Sequence, residues 1–325
     1  KAEIHCHIEG AAHPDFVRKQ ADKYGKDLTP IFSDDGETYR WHDFTSFIEA
    51  YAAVSNVLME PEDYIALTQD VLLRQASQNV IYQEFFCSPD NSDRMHCSYI
   101  TMIEAMAEGA RLAKETAGIE CRFITTGVRN IGMHHVSEAA ALAKAHPHTM
   151  VTGFGMAGDE RMGDVREVVN AFEMAKDAGL RLTAHAGELC DAQSVRDSLD
   201  HLNVERIGRG VRSGGGPELG ERLAEQDFTL EVCPGSYIAL NVFEEHDHPL
   251  RQLRDAGVKV TLSSDDPPFF RTTITHEYAL AHRIYGFDRA ALLQTTRTSL
   301  EAAFVDEGTR ASLINRFEVM ASALD

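Results

Sequence analysis

The chain has 325 residues, of which 51 are acidic and 31 basic, so its formal net charge at pH 7 is -20. This excess of negative charge repels nucleic-acid phosphates and anionic lipids, which argues against nucleic acids and membranes as partners. Hydrophobic residues make up 43% of the chain, an ordinary value for a globular protein, and no apolar run is long enough to span a bilayer or to serve as a signal peptide.

Short β-like runs alternate with longer amphipathic segments along the chain. Eight strands are predicted, over residues 2–8, 80–87, 121–128, 150–155, 181–186, 206–210, 229–233 and 259–263. Helices are predicted between them, over residues 102–118, 136–145, 165–179, 192–202, 218–226 and 249–257. Eight βα units favour a closed (β/α)₈ TIM barrel over an open Rossmann sheet, because no GxGxxG motif follows an early strand.

Two regions exceed what eight βα units require. The interval from residue 9 to residue 79 is too long for one crossover helix, so residues 41–59 and 61–77 are predicted to form extra helices that roof a pocket. Further helices are predicted over residues 277–285 and 289–305, towards the C-terminus. No linker or low-complexity segment interrupts the pattern, and we expect a single domain over residues 1–325.

Six cysteines are spread along the chain without CxxC pairs. Most lie in apolar strand-like runs, where cysteine behaves as a small hydrophobic residue. This usage favours a reducing compartment, and we expect a cytoplasmic protein.

Polar side chains stand at the ends of three predicted strands, where the βα loops of such barrels form active sites. His5 and His7 are two residues apart on the first strand, so their side chains point to the same side. His185 lies at the end of the fifth strand, and Asp265 and Asp266 follow the eighth. Adjacent carboxylates repel one another unless a cation lies nearby, although an Asp before proline is also typical of a helix N-cap.

Three imidazoles and one of these carboxylates, at one rim of one barrel, suit Zn²⁺ with a coordination position left for water. We therefore expect one zinc ion per chain. Glu188, three residues after His185, lies past the strand end, where its carboxylate would overhang a bound substrate.

Six segments, in order and spread over essentially the whole chain, resemble the adenosine deaminase family. They are 5–10 (HCHIEG), 156–160 (MAGDE), 185–188 (HAGE), 206–208 (RIG), 233–236 (CPGS) and 264–267 (SDDP). The resemblance implies a (β/α)₈ hydrolase in which a zinc-activated water attacks C6 of an adenine ring and ammonia leaves.

The resemblance also implies a role for each site residue. The implied zinc ligands are His5, His7, His185 and Asp265. Glu188 would protonate the ring nitrogen beside the attacked carbon, which requires a raised pKa. Asp266 would bond the purine N7 and the attacking water, the Gly158 N–H would meet the other ring edge, and Glu9 stands where the family places an acidic residue that reaches a ribose hydroxyl.

Three positions depart from the family pattern. Arg209 lies in a Gly-Arg-Gly turn where the family has a histidine that orients the attacking water, and Tyr237 and Ser263 stand where asparagine is usual. Arginine is permanently charged and cannot act as a base, but it can stabilise an oxyanion. Because two cations disfavour each other, we expect Arg209 to point away from the zinc or to pair with a carboxylate, first of all Asp266.

The resemblance leaves the substrate open among several purines. We expect adenosine, with adenine or a modified purine as the alternative, because free-base deaminases tend to carry Asp where this chain has Gly208. A weakened or non-catalytic purine-binding relative is the other alternative, since Arg209 replaces the family histidine. A two-metal hydrolase of the wider barrel superfamily is disfavoured, because the pattern of a bridging lysine is missing. In each case the partner is a small-molecule purine.

Overall fold

The computed structural model describes residues 1–90, 97–215 and 217–323. Eight parallel strands follow one another around a barrel in chain order, each paired with the next. They are β1 Ala2–Glu3, β2 Tyr82–Cys87, β3 Glu120–Val128, β4 Val151–Ala157, β5 Arg181–Ala186, β6 Arg206–Arg209, β7 Thr229–Val232 and β8 Lys259–Leu262. All eight predicted strands and the predicted (β/α)₈ barrel are confirmed.

The barrel closes just beyond the regular ends of β1 and β8. Cys6 and Asp265 form an isolated parallel bridge. Around it the N–H of His7 donates to the carbonyl of Asp265 (3.1 Å), and the N–H of Asp265 donates to the carbonyl of His5 (3.3 Å). We call these four residues, His5, Cys6, His7 and Asp265, the closure seam. The regular part of β1 is shorter than predicted because only isolated bridges continue its pairing as far as the seam.

Helices fill the connections on the outside of the barrel. They are α1 Pro14–Lys23, α2 Phe44–Ser55, α3 Pro61–Ser77, α4 Tyr99–Ala117, α5 Met133–Ala145, α6 Val169–Asp177, α7 Ala192–His201, α8 Pro217–Glu225, α9 Pro234–Ala239, α10 Leu250–Asp255, α11 Pro267–Phe270, α12 Ile274–Arg283, α13 Arg289–Ala302 and α14 Glu307–Ser322. Short 3₁₀ turns lie at Thr29–Ile31, Arg129–Ile131, Val165–Val168 and Val211–Gly215. The predicted helices are present with shifted ends, whereas α1, α9, α11 and α14 were not predicted.

Local chemistry explains where these helices begin and end. Helix α4 begins after Ser98, whose hydroxyl accepts the N–H of Thr101, and ends at Gly118 in the left-handed conformation (φ 68°). Of the two extra helices predicted as a roof, α2 does cover the carboxyl ends of the strands, where Phe47 stacks on Phe270 of α11 at 5.3 Å. Helix α3 instead packs against α4 on the outside of the barrel.

The opposite end of the barrel is sealed by the C-terminal helices α13 and α14. Their residues join the starts of the first two strands in one buried cluster, formed by Ala2, Ile4, Ile81, Tyr82, Leu300, Ala303, Val305 and Leu313. The pocket therefore opens at the α2 end of the barrel axis. Among the described residues, no helix combines the length and apolar character that a membrane crossing requires.

Candidate active site

The three predicted histidines converge at the closure seam. The ring centroid of His5 lies 5.5 Å from that of His7 and 4.7 Å from that of His185, and the latter two lie 5.4 Å apart. One nitrogen of each ring lies within 4.8 Å of the other two. The Nε2 atoms of His5 and His185 are buried and have no hydrogen-bond partner within the described part of the chain. Buried lone pairs that converge without partners fit a metal ion.

The protonation state of these rings also suits metal binding. Burial lowers the pKa of His7 to about 3 and that of His185 well below its ordinary value. Both imidazoles are therefore neutral at pH 7, the form that binds metals.

Asp265 adds a carboxylate to this cluster. Its Oδ1 lies 3.4 Å from His7 Nε2 and 3.8 Å from His5 Nε2. The backbone of Asp265 is left-handed (φ 65°), an uncommon conformation for an L residue that the seam hydrogen bonds hold in place. The carboxylate thus faces the imidazoles rather than solvent.

A network of buried charged side chains orients the ring of His5. Its Nδ1 lies 2.6 Å from Glu231 Oε2, and the other oxygen of Glu231 accepts from Thr183 (3.1 Å) and lies 2.6 Å from Arg206 Nε. Arg206 in turn donates to Glu84 (2.6 Å). With its Nδ1 engaged by Glu231, the ring of His5 presents Nε2 to the site. Sequence reasoning missed this network, and its signal was the presence of charged residues within buried strands.

Arg209 is placed within the same cluster. Its Nη1 lies 2.5 Å from Asp265 Oδ2 and 3.5 Å from Glu188 Oε1, and it donates to Ser236 Oγ (2.8 Å). The expected pairing with Asp266 is therefore wrong. The Asp266 carboxylate packs against Gly10 instead, where a Cβ would lie only 1.6 Å from Oδ1.

The other two departures from the family pattern differ in position. Tyr237 is buried with its ring 5.7 Å from the guanidinium carbon of Arg209, so these two unusual residues are neighbours. Ser263 is also buried, and its N–H donates to the carbonyl of Val232 (3.0 Å), which continues the ladder between β7 and β8.

Packing explains the glycine that precedes Arg209. A Cβ at Gly208 would lie 2.8 Å from Cδ2 of His185 and 3.0 Å from Cε1 of His5, closer than real side chains approach. Any larger residue would displace an imidazole here. Gly208 is therefore accounted for by the histidines beside it, and it does not support the preference for a nucleoside.

The loop that carries Glu188 is held by a carboxylate that sequence reasoning also missed. Glu160, at the end of β4, accepts the N–H groups of Gly187 (2.8 Å), Glu188 (2.6 Å) and Cys190 (2.5 Å), and the hydroxyl of Ser194 (2.9 Å). Its position inside the MAGDE segment was the available signal. These bonds fix the backbone of Glu188 over the histidine cluster.

Burial raises the pKa of Glu188 to about 7, with Asp265 adding to the shift and Arg209 opposing it. The Glu188 carboxyl is thus about half-protonated near pH 7 and largely protonated in mildly acidic solution. Burial together with the neighbouring Asp265 also raises the pKa of Asp266 well above its ordinary value. These two acids face the same cavity.

The cavity lies between the histidine cluster and helix α2. Its polar lining includes His7, Glu9, Gly158, His185, Glu188, Arg209 and Asp266. His5 and Asp265 lie behind this floor. Glu9 is 1% exposed, and one of its oxygens accepts from Tyr51 of α2 (3.0 Å). Gly158 has φ 95°, and a Cβ there would lie 2.2 Å from Asn130 Oδ1, so a larger residue would disturb this wall.

All six cysteines are free thiols, and five are buried. Cys233 offers its sulfur within 4.8 Å of ligand atoms of His5 and Asp265, so a second ligand combination exists beside the three-histidine set. Both combinations use residues of the closure seam.

A barrel with converging histidines and acidic groups at its carboxyl rim is typical of metal-dependent hydrolases. The model of the adenosine deaminase family matches residues 1–320. The chain belongs to this family and is a deaminating hydrolase.

Particular relatives narrow the comparison. An adenine deaminase of Agrobacterium fabrum is 51% identical over 317 residues, 97% of each chain. The crystal structure of an adenine deaminase from Arthrobacter aurescens superposes with a TM-score of 0.91 at 26% identity, covering 99% of this chain and 98% of that one. A Burkholderia ambifaria amidohydrolase with bound zinc has a TM-score of 0.89 at 25% identity, and the match covers 100% of this chain and 91% of that one.

The contacts of Glu160 give a first prediction. Glu160→Ala removes the acceptor of three amides, so it should lower the free energy of unfolding by roughly 3 kcal/mol and misplace Glu188. Ser194→Ala, which removes only the hydroxyl contact, should cost about 1 kcal/mol. Urea unfolding of both variants measures the difference, and equal stabilities would show that Glu160 does not hold the loop.

Proposed function

We propose that the protein hydrolyses adenine, the free purine base, to a 6-oxopurine and ammonia, with one zinc ion per chain. The proposed zinc ligands are His5, His7, His185 and Asp265. The fit rests on the converging imidazoles, the unpartnered Nε2 atoms and the carboxylate that faces them. When bound in such a set, zinc acts as a Lewis acid that makes an attacking water acidic near neutral pH.

The acids of the pocket have separate proposed duties. Glu188, whose pKa of about 7 leaves it able to donate, gives its proton to the ring nitrogen beside C6 and makes that carbon electrophilic. Asp266 faces the same cavity and holds the purine N7 and the attacking water. Water adds to C6 and passes one proton to the Asp266 carboxylate, which gives it to the amino nitrogen. The bond from C6 to that nitrogen then breaks, ammonia leaves, and the proton of the remaining hydroxyl returns to Glu188. The N–H of Gly158 completes the purine contacts at the opposite ring edge.

The observation that carries the choice of a free base is the hydrogen bond from Tyr51 to Glu9. Glu9 is the residue expected to reach a ribose hydroxyl, but here one of its oxygens already accepts a hydrogen bond from Tyr51 of the roof helix α2, so a ribose hydroxyl would compete with Tyr51 for that oxygen. The names of the Agrobacterium and Arthrobacter relatives support adenine as well. The comparisons thus favour the alternative over the adenosine we expected.

Nucleotides fit the pocket poorly. Arg209 is the one cationic side chain among the described lining residues, and it is already paired with Asp265. The lining also includes the acidic side chains of Glu9, Glu188 and Asp266. A phosphate group would therefore find no unpaired cationic side chain among the described lining residues.

The substrate choice is tested by comparing adenine with adenosine on zinc-loaded protein. We expect kcat/KM for adenine to exceed that for adenosine by about 100-fold or more. Tyr51→Phe should narrow this ratio by raising kcat/KM for adenosine, because it frees Glu9. Tyr24→Phe, whose hydroxyl bonds Asp63 away from the pocket, is the control. Equal or greater activity on adenosine in the natural protein would contradict the proposal.

The metal site is tested by elemental analysis of the purified protein. We expect about one zinc per chain, and His185→Ala should lose metal and activity together because it removes one of three imidazoles. His276→Ala, a change at an exposed histidine, should retain both. Full zinc content in His185→Ala would place the metal elsewhere.

The role of Glu188 predicts a pH dependence. Because Glu188 must be protonated to act, kcat should fall as the pH rises through about 7, the pKa that burial gives this group. Glu188→Gln should keep zinc and substrate binding but lose at least ~10²-fold in kcat. Glu173→Gln, an exposed change on α6, should leave the profile unaltered. A normal rate in the Glu188→Gln variant would remove this residue from the mechanism.

A further inference from the structure

Asp265 faces two different kinds of partner. Its Oδ1 lies nearest the imidazoles of His7 and His5, at 3.4 and 3.8 Å, while its Oδ2 lies 2.5 Å from Nη1 of Arg209. The side chain of Asp265 is fully buried and that of Arg209 is 5% exposed. The carboxylate of Asp265 is therefore already paired with a cation of the protein itself.

Among the carboxyl groups that the structure describes near Arg209, that of Asp265 makes the shortest contact. Arg209 also donates to the hydroxyl of Ser236 (2.8 Å) and lies 3.5 Å from the carboxyl of Glu188. The left-handed backbone at Arg209 (φ 81°) and the ring of Tyr237, 5.7 Å away, direct the side chain into the cluster. Pairing with the Asp265 carboxylate offsets the cost of burying this guanidinium.

A divalent cation at the imidazoles would meet this arrangement directly. It would need the negative charge of Asp265, which is shared with Arg209, and it would lie a few ångströms from a permanent positive charge. Neither effect operates when an uncharged side chain occupies position 209.

We infer that Arg209 is an internal competitor for the metal: it neutralises Asp265 in the metal-free protein and weakens zinc binding. The protein thereby keeps a folded, charge-balanced site without zinc and exchanges its metal more readily than the ligand set alone would allow. This inference rests on the zinc site proposed above but not on any substrate, so its test requires no turnover.

The test compares zinc affinity and thermal stability in Arg209→Met, Arg209→Lys and the natural protein. Zinc dissociation constants come from competition with a chromophoric chelator at fixed neutral pH and ionic strength. We expect Arg209→Met to bind zinc at least about tenfold more tightly, equivalent to about 1.4 kcal/mol, and Arg209→Lys to stay close to the natural protein because it keeps the charge. Arg209→Gln replaces Arg209→Met if the latter does not fold.

Thermal unfolding distinguishes competition between Arg209 and zinc from a merely structural role of Arg209. Without zinc, Arg209→Met should melt at a lower temperature than the natural protein, because Asp265 is left buried and unpaired. With zinc bound, this difference in melting temperature between Arg209→Met and the natural protein should vanish or reverse. Arg129→Met is the control: it removes a buried arginine whose guanidinium donates to the carbonyls of Met162 and Gly163, and it should leave zinc affinity nearly unchanged.

The outcomes that overturn the inference are distinct. Equal or weaker zinc binding by Arg209→Met, or equal loss of stability with and without zinc, would make Arg209 a structural residue while leaving the metal site intact. If neither the natural protein nor Arg209→Met binds zinc when folded, the proposed metal site fails and this inference fails with it.

Discussion

Two backbone hydrogen bonds join the first strand to the last, one from His7 to Asp265 and one from Asp265 to His5. They complete the barrel and at the same time bring residues 260 positions apart in the sequence into one cluster. Because the histidines and the aspartate belong to the bonded segments themselves, their spacing follows from closing the sheet rather than from loop conformations. His185 then joins them from β5, on the far side of the barrel axis.

The buried charges of the barrel follow from this arrangement. Carboxylates hold the loops of three strands by accepting backbone N–H groups: Glu160 behind β5, Glu277 at Gly235 after β7, and Glu3 at Ser264 after β8. Each replaces the water that a buried loop would otherwise need for its amides. Glu231 provides the same kind of support for the imidazole of His5. The site is therefore built on a rigid frame, which suits a reaction that depends on placing an acid, a water and a ring with accuracy.

Much of the barrel and of the candidate site could be predicted from the sequence, because the strands are short apolar runs and the polar residues at their ends lie at one rim of a parallel barrel. The partner of Arg209 could not be predicted from the sequence, because Asp265 and Asp266 are adjacent. Only the left-handed backbone at Asp265 decides which of the two carboxylates faces the guanidinium. Glu160 and Glu231 read as ordinary polar residues, as their partners lie on other strands. Gly208 was misread as a mark of substrate, although its neighbours are the rings of His5 and His185.

We propose that one metal ion lies at the closure seam among three imidazoles and Asp265. X-ray absorption at the zinc edge tests it most directly, because Cys233 lies close enough to compete as a ligand. We expect only nitrogen and oxygen neighbours around the zinc, at about 2.0–2.2 Å. A sulfur neighbour at about 2.3 Å would contradict it, because the zinc would then be bound by Cys233.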